Sequence, residues 1–155
     1  MDIEDPQIGL METCKELGVA IVAYSPLGRG FLTGQYKSLD DFEEGDFRRM
    51  SPRFSPENFS NNLKLVDQIA ELARKKNITP GQLVLAFLLA QDDLVIPIPG
   101  TKKIKYLEEN LGALNVKLSA EELASIRKAI ESAEVHGTRY PQAMLGALFA
   151  DTPEL

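Results

Sequence analysis

Tryptophan is absent, and histidine and cysteine occur once each, as His136 and Cys14. A single cysteine closes no internal disulfide, which fits a reducing cytosol. With one His beside it, too few ligands remain for a zinc site or a Cys–His nucleophile pair. No stretch approaches ~18 uninterrupted apolar residues, so no transmembrane helix is expected. The opening Met1-Asp2-Ile3-Glu4-Asp5-Pro6 has neither the basic nor the apolar region of a secretory signal, and a cytoplasmic location without membrane contact is the expectation. Positive charge is in deficit, with 17 basic against 23 acidic side chains and a net charge of −6. That balance argues against nucleic-acid binding, although Lys102, Lys103 and Lys105 form a cluster suited to one anionic group. What is present is ordinary for a globular chain: 155 residues, 44% of them apolar, enough to bury a core in about one domain.

Local pattern places helices and strands in alternation. Ile8, Met11 and Leu17, with Pro6 ahead and Gly18 behind, predict a helix. Val19 to Tyr24 is a short apolar run rich in β-branched residues, and its two-sided hydrophobicity predicts a buried parallel strand. Periodicity then stops over residues 25–60, a loop long enough to be either functional or disordered, with Gly28, Gly30 and Gly34 crowding its opening. Leu63, Val66, Ile69, Leu72 and Ala73 restore a helical period that ends in Arg74-Lys75-Lys76-Asn77. Thr79-Pro80-Gly81-Gln82 reads as a capping box opening a helix from Leu83 to Gln91, apolar nearly all round and so buried. Leu94 to Pro99 predicts a second buried strand, weakened by Pro97 and Pro99. Ile104, Leu107, Leu111 and Leu114 mark a helix, and Ser119-Ala120-Glu121-Glu122 caps another through about Ser132, with Leu123, Ile126 and Ile130 inward. Residues 135–155 show no regular period. The alternation implies an α/β fold with parallel strands, yet two strands are too few for a stable sheet.

Two segments carry the chemistry. In Tyr24-Ser25-Pro26-Leu27-Gly28-Arg29-Gly30 a strand delivers an aromatic, a hydroxyl and a glycine-rich turn bearing an arginine. Strand C-termini are where α/β folds place ligands. Glycines let backbone N–H groups approach a phosphate, Arg29 would pair with its charge, and Tyr24 would stack on a flat ring. The alternative is a plain turn whose glycines serve only left-handed conformations, with Tyr24 in the core. In Ile98-Pro99-Gly100-Thr101-Lys102-Lys103 a second strand ends in a turn followed by a hydroxyl and two ammonium groups near a helix N-terminus, the donor set of a phosphate pocket. A solvated charge run is the alternative there. Taken together, the two strand ends suit a ligand with two separated phosphates.

These segments, with Glu109-Asn110 following the second, resemble the last two strand-end motifs of the aldo-keto reductases. The resemblance covers nearly the whole chain. It includes Phe47-Arg48-Arg49 and Arg53-Phe54-Ser55-Pro56-Glu57-Asn58-Phe59, which are similar to the long loop of members with an extended seventh βα loop. The resemblance implies a (β/α)8 barrel that binds NADP(H) without a separate dinucleotide domain. Tyr24 would then stack on the nicotinamide. Ser25, Leu27, Gly28, Arg29 and Gly30 would line the pyrophosphate, and after Gly100, also a cofactor contact, Thr101 and Lys102 would hold the 2′-phosphate with Lys103 assisting. Glu109 and Asn110 would hydrogen-bond the adenine. Tyr106 stands where many members carry an arginine over the adenine face, so the preference for NADPH over NADH would rest on Thr101 and the lysines.

The family's catalytic Asp, Tyr, Lys and His come from the first half of its barrel, and no segment here resembles those motifs. Tyr36 and Tyr140 sit in loop and tail without a matching Lys or His, and His136 reads as a surface residue. Arg139 to Phe149 would border the substrate mouth or form a lid without chemistry. A (β/α)8 barrel needs about 250 residues, so residues 1–155 are expected to be the C-terminal portion of one such domain, a partial TIM barrel holding the last two strands, their helices and C-terminal additions. Its open sheet would expose edges and an apolar face, making the chain unstable or aggregation-prone unless a missing N-terminal half-barrel or self-association covers it. The parent would be an oxidoreductase reducing carbonyl compounds, aldehydes or ketones, with NADPH. The alternatives are a non-catalytic nucleotide-binding or interaction module and an inert truncated fragment.

Overall fold

The computed structural model describes residues 2–4, 8–146 and 148. Its elements run α1 (Leu10–Leu17), β1 (Ile21–Ala23), α2 (Pro56–Lys75), α3 (Pro80–Leu89), β2 (Val95–Pro97), α4 (Ile104–Gly112), α5 (Ala120–Ser132) and α6 (Gln142–Leu145). β1 and β2 pair in parallel, Ile21 opposite Val95 and Ala23 opposite Pro97. The chain between them crosses over through α2 and α3, the connection that parallel strands require. Among the described residues no helix is long and apolar enough to cross a membrane.

The caps explain where the helices start. Thr79 Oγ1 accepts from the Gln82 N–H while Gln82 Oε1 accepts from the Thr79 N–H, with Pro80 at the first helical position. Ser119 and Glu122 repeat the arrangement at α5. Such reciprocal caps satisfy two otherwise orphaned N–H groups at each helix start. α1 begins at Leu10 rather than Ile8, since Gly9 ahead of it is left-handed, and Gly18 closes it in the same conformation. Pro6, expected to lead that helix, lies outside the described residues.

The main core joins Ile69 and Ala73 of α2, Leu83, Val84 and Phe87 of α3, and Ile126 of α5. Leu123 and Ile130 pack at its margin, as their spacing predicts. A smaller cluster of Met11, Ile21 and Val95 ties α1 to the helix-facing side of the sheet.

Three expectations need correction. The segment 25–60 is neither formless nor wholly a loop. It contains short 3-10 turns at Gly28–Thr33, Leu39–Asp41, Phe47–Met50 and Pro52–Phe54, and α2 already starts at Pro56. Phe42, Phe54 and Phe59 are buried together with Phe31 and Tyr36 against them, in edge-to-face contacts such as Phe31–Phe59 at 5.1 Å between centroids. This aromatic cluster gives the segment a core of its own, which tight turns punctuated by Gly and Pro hide from periodicity. The strands are also shorter than expected. Pro97 breaks no pairing, because Ile98 N–H donates to Ala23 O and the alternation turns the proline nitrogens to the open edge.

Third, the strands are not covered on both faces. Ile21 and Val95 face the helices, whereas Val22 is 59%, Ile96 49%, Tyr24 48% and Ile98 50% exposed. α4 likewise leaves Ile104, Leu107 and Leu111 at least half exposed, as is Leu114 in the 3-10 turn Ala113–Asn115 that follows. Residues 135–155 include α6, whose four residues are too few to show a period; Ala147 and 149–155 lie outside the described residues.

Candidate functional site

The C-terminal ends of both strands open into one cleft of about 500 Å³. Tyr24, Ser25, Leu27, Arg29 and Gly30 line it from the β1 end, and Ile98, Gly100, Thr101, Tyr106, Glu109 and Asn110 from the β2 end. Of the residues proposed from sequence, Gly28, Lys102 and Lys103 do not line it. Gly28 sits on a second cavity behind the turn. Lys102 and Lys103 are exposed at the start of α4, where the Lys103 ammonium lies 5.7 Å from the Tyr106 ring centre.

The β1 turn is built from left-handed backbone. Ser25 (φ 50), Gly28 (φ 58), Arg29 (φ 58) and Gly30 (φ 88) all have positive φ. Two of these four are not glycine, a strain that sites retain where surrounding contacts fix the backbone. Gly30 is required by space as well, since a Cβ there would meet the Tyr36 ring at 2.9 Å. The turn is closed by its own backbone bonds, the Gly28 N–H donating to the Ser25 carbonyl and the Gly30 N–H to the Leu27 carbonyl.

Arg29 is held on two sides. Its carbonyl accepts from Arg48 Nη1 at 3.1 Å, and Arg48 is itself gripped by Asp46 through Nε and Nη2 and stacked 4.3 Å over Phe42. The side-chain hydrogen bond from Arg48 holds the Asp46 carboxyl below its usual range. The Arg29 guanidinium donates to Ser51 Oγ at 3.0 Å and to the Arg139 carbonyl at 2.9 Å, and lies 4.6 Å over the Tyr140 ring. It therefore borders the cleft while being committed to the tail, and is not an idle cation waiting for a phosphate.

The tail reaches this turn through a purpose-built dock. Asn62, 5% exposed, donates to the Arg53 and His136 carbonyls and accepts from the His136 N–H at 2.8 Å. Gly137 (φ 86) lies so close to the Pro52–Arg53 backbone that a Cβ would fall 2.6 Å from Pro52. His136 itself is exposed, with Nε2 3.7 Å from Glu134. Docking brings Arg139 to 5.5 Å from the Tyr24 ring centre. Desolvation raises the Tyr24 hydroxyl above its ordinary value, a hydrogen bond with Tyr140 adds to the rise, and Arg139 opposes it. Tyr140 moves the other way, through its hydrogen bonds with Tyr24 and then Arg29.

At the β2 end, the Thr101 hydroxyl accepts from the Lys103 N–H at 3.1 Å, Tyr106 Oη donates to Gln35 Oε1 at 3.3 Å across the cleft, and Gln82 Nε2 donates to the Glu109 carbonyl. Sequence reading missed Gln35, Tyr36 and Thr33 as wall residues and Asn62 as the tail's anchor; Arg139 and Tyr140, expected at the mouth or in a lid, lie against Tyr24 and Arg29, and Phe149 lies outside the described residues. Gln35 and Tyr36 had a local signal in the aromatic cluster. The contacts of Arg29 with the tail span 110 positions, and no local pattern announces them.

The model of the Aldo/keto reductase family matches residues 3–131. Over its full 155 residues the chain is 58% identical to the aldo-keto reductase yakc [NADP(+)] of Schizosaccharomyces pombe and 59% identical to the aldo-keto reductase str7 of Strobilurus tenacellus. It spans 46% of the length of each. Among solved structures, a glycerol dehydrogenase from Gluconobacter oxydans superposes with a TM-score of 0.70 at 23% identity, over 81% of this chain and 38% of that one, a likeness of fold alone.

Proposed function

The chain belongs to the aldo/keto reductase family, and from that premise we propose that residues 1–155 are the cofactor-gripping C-terminal part of a single oxidoreductase domain that reduces aldehydes or ketones with NADPH. The observation that carries this reading is the single cleft in which both strand ends meet, with an aromatic plate and a left-handed turn at one end and a hydroxyl beside lysines at the other.

The residues fit the group. Tyr24, half exposed at the strand end, offers a flat face for the nicotinamide. Ser25, Leu27, Arg29 and Gly30 line the end of the cleft where the pyrophosphate would lie, with Gly28 behind them shaping the turn and the Arg29 guanidinium shared with the tail. Gly100 and Thr101 line the other end, and the exposed Lys102 and Lys103 at the start of α4 would supply charge-assisted hydrogen bonds to a 2′-phosphate there. Glu109, Asn110 and the Tyr106 ring take the adenine. NADPH, when bound, supplies the hydride. This chain's own residues bind and orient the cofactor, while the Asp, Tyr, Lys and His that the family uses to protonate the carbonyl oxygen belong to the half-barrel the chain does not contain. That half-barrel, with the carbonyl substrate, is the partner we assign to the bare sheet face.

The test is cofactor titration of the chain, read by NADPH fluorescence. Lys102→Glu should weaken NADPH by about ten-fold or more, the scale of one lost charge-assisted bond, and leave NADH within about two-fold. Equal losses for both nucleotides would overturn the 2′-phosphate assignment, and no binding of NADPH by the unaltered chain would overturn the reading of the cleft.

A further inference from the structure

Tyr24 is a wall shared by two spaces. One is the strand-end cleft, and the other is a smaller cavity of about 220 Å³ behind it, floored by Phe31, Phe54 and Leu65. Arg139 lines only the second, with its guanidinium carbon 5.5 Å from the Tyr24 ring centre. The cation thus approaches the ring from the second cavity.

We infer that Arg139 is a positioning residue that sets the redox preference of the cleft, making Tyr24 a better plate for the neutral reduced nicotinamide than for the cationic oxidised one. The inference rests on the reading of Tyr24 as the nicotinamide plate. A guanidinium on one face of a phenol ring draws on the same π density that a cation on the opposite face would use. NADPH and NADP+ differ at the ring by one positive charge, so a fixed cation behind the plate penalises only the oxidised form. The two forms otherwise share their phosphates and adenine, so contacts to those parts cancel in their ratio. Release of the spent cofactor is eased by the same margin.

The tail is constructed to hold that charge in place. Asn62 engages both the N–H and the carbonyl of His136, Gly137 admits no side chain against Pro52, and the Arg139 carbonyl accepts from Arg29 at 2.9 Å. These contacts fix the backbone on both sides of Thr138 and leave the Arg139 side chain aimed at the Tyr24 ring.

Dissociation constants of NADPH and NADP+ from the 155-residue chain test the inference through their ratio, by calorimetry and without turnover. Arg139→Met should tighten NADP+ relative to NADPH by about three-fold, the scale of one cation–π contact, while Arg139→Lys should keep the wild-type ratio. If Arg139→Met does not fold, Asn62→Ala, which undocks the tail, should narrow the preference in the same direction. Equal changes in both constants would show a merely structural role and overturn the inference while sparing the cleft. Failure of the unaltered chain to bind either nucleotide would overturn both.

Discussion

Asn62→Ala isolates the tail dock. The side chain is buried in α2 and makes three hydrogen bonds, donating to the Arg53 and His136 carbonyls at 2.9 Å each and accepting from the His136 N–H at 2.8 Å. A net contribution of about 1 kcal/mol per bond puts the loss at roughly 2–3 kcal/mol, reduced where water reaches the exposed His136 backbone. For a chain of this length each kcal/mol moves Tm by about 2–4 °C, so a fall of roughly 5–10 °C is expected if the tail unfolds with the rest. If it opens alone, the same free energy appears as roughly 30- to 150-fold faster cleavage after residue 134 by a protease acting on the opened tail. Asn61→Ala is the control, since Asn61 makes only solvent-exposed bonds, donating to the Glu134 carbonyl and accepting from Lys64 Nζ, and should cost under about 1 kcal/mol. The reasoning is refuted if Asn62→Ala matches wild type in both Tm and tail cleavage.

Replacing Val22 and Ile96 together by Thr on the bare sheet face should change stability by no more than about 0.5 kcal/mol per site and should reduce dye binding and self-association; a loss of several kcal/mol would mean the face is covered in solution. The Asp46 carboxyl is held below its unfolded value by the side-chain hydrogen bond from Arg48, so its stabilisation is present above the unfolded pKa of about 4 and is lost as pH falls through the folded value. The urea midpoints of wild type and Asp46→Asn should accordingly differ at pH 6 and converge towards pH 3, and a gap that widens on acidification would contradict the assignment. Incubated with NADPH and a small aldehyde, the chain should oxidise no cofactor above background; measurable turnover would show that catalytic groups lie within it.

Local rules were sufficient where one residue decides an outcome. Thr79 with Gln82 and Ser119 with Glu122 name their helix starts in four letters, and both caps form with the expected bonds. They were insufficient where a polar residue interrupts a period. Asn58, Asn61 and Asn62 obscure the first two turns of α2, because side chains chosen to hold the loop and the tail occupy positions that pattern reading reserves for apolar ones. The strand-end motifs were legible as a pair, since the parallel register places both ends on one cleft. Arg29 was legible as a residue of the strand-end turn but not as a clamp, since its partners Ser51 and Arg139 lie 22 and 110 positions away.

The bare face and the cleft are one geometric fact. Alternation along a strand sends Val22 and Tyr24 to the same side, and the parallel register sets Ile96 and Ile98 beside them. The helices cover the opposite side through Ile21 and Val95, so the apolar side is left exposed up to the point where Tyr24 and Ile98 become walls of the cleft. A strand that reads as hydrophobic on both faces thus carries information about a neighbour that two strands cannot supply. A neighbour packed on Val22 and Ile96 would also bound the open side of the cleft. With the proposed cofactor in the cleft, its affinity and coverage of the sheet would rise together, whereas the Arg139–Tyr24 contact is complete within this chain.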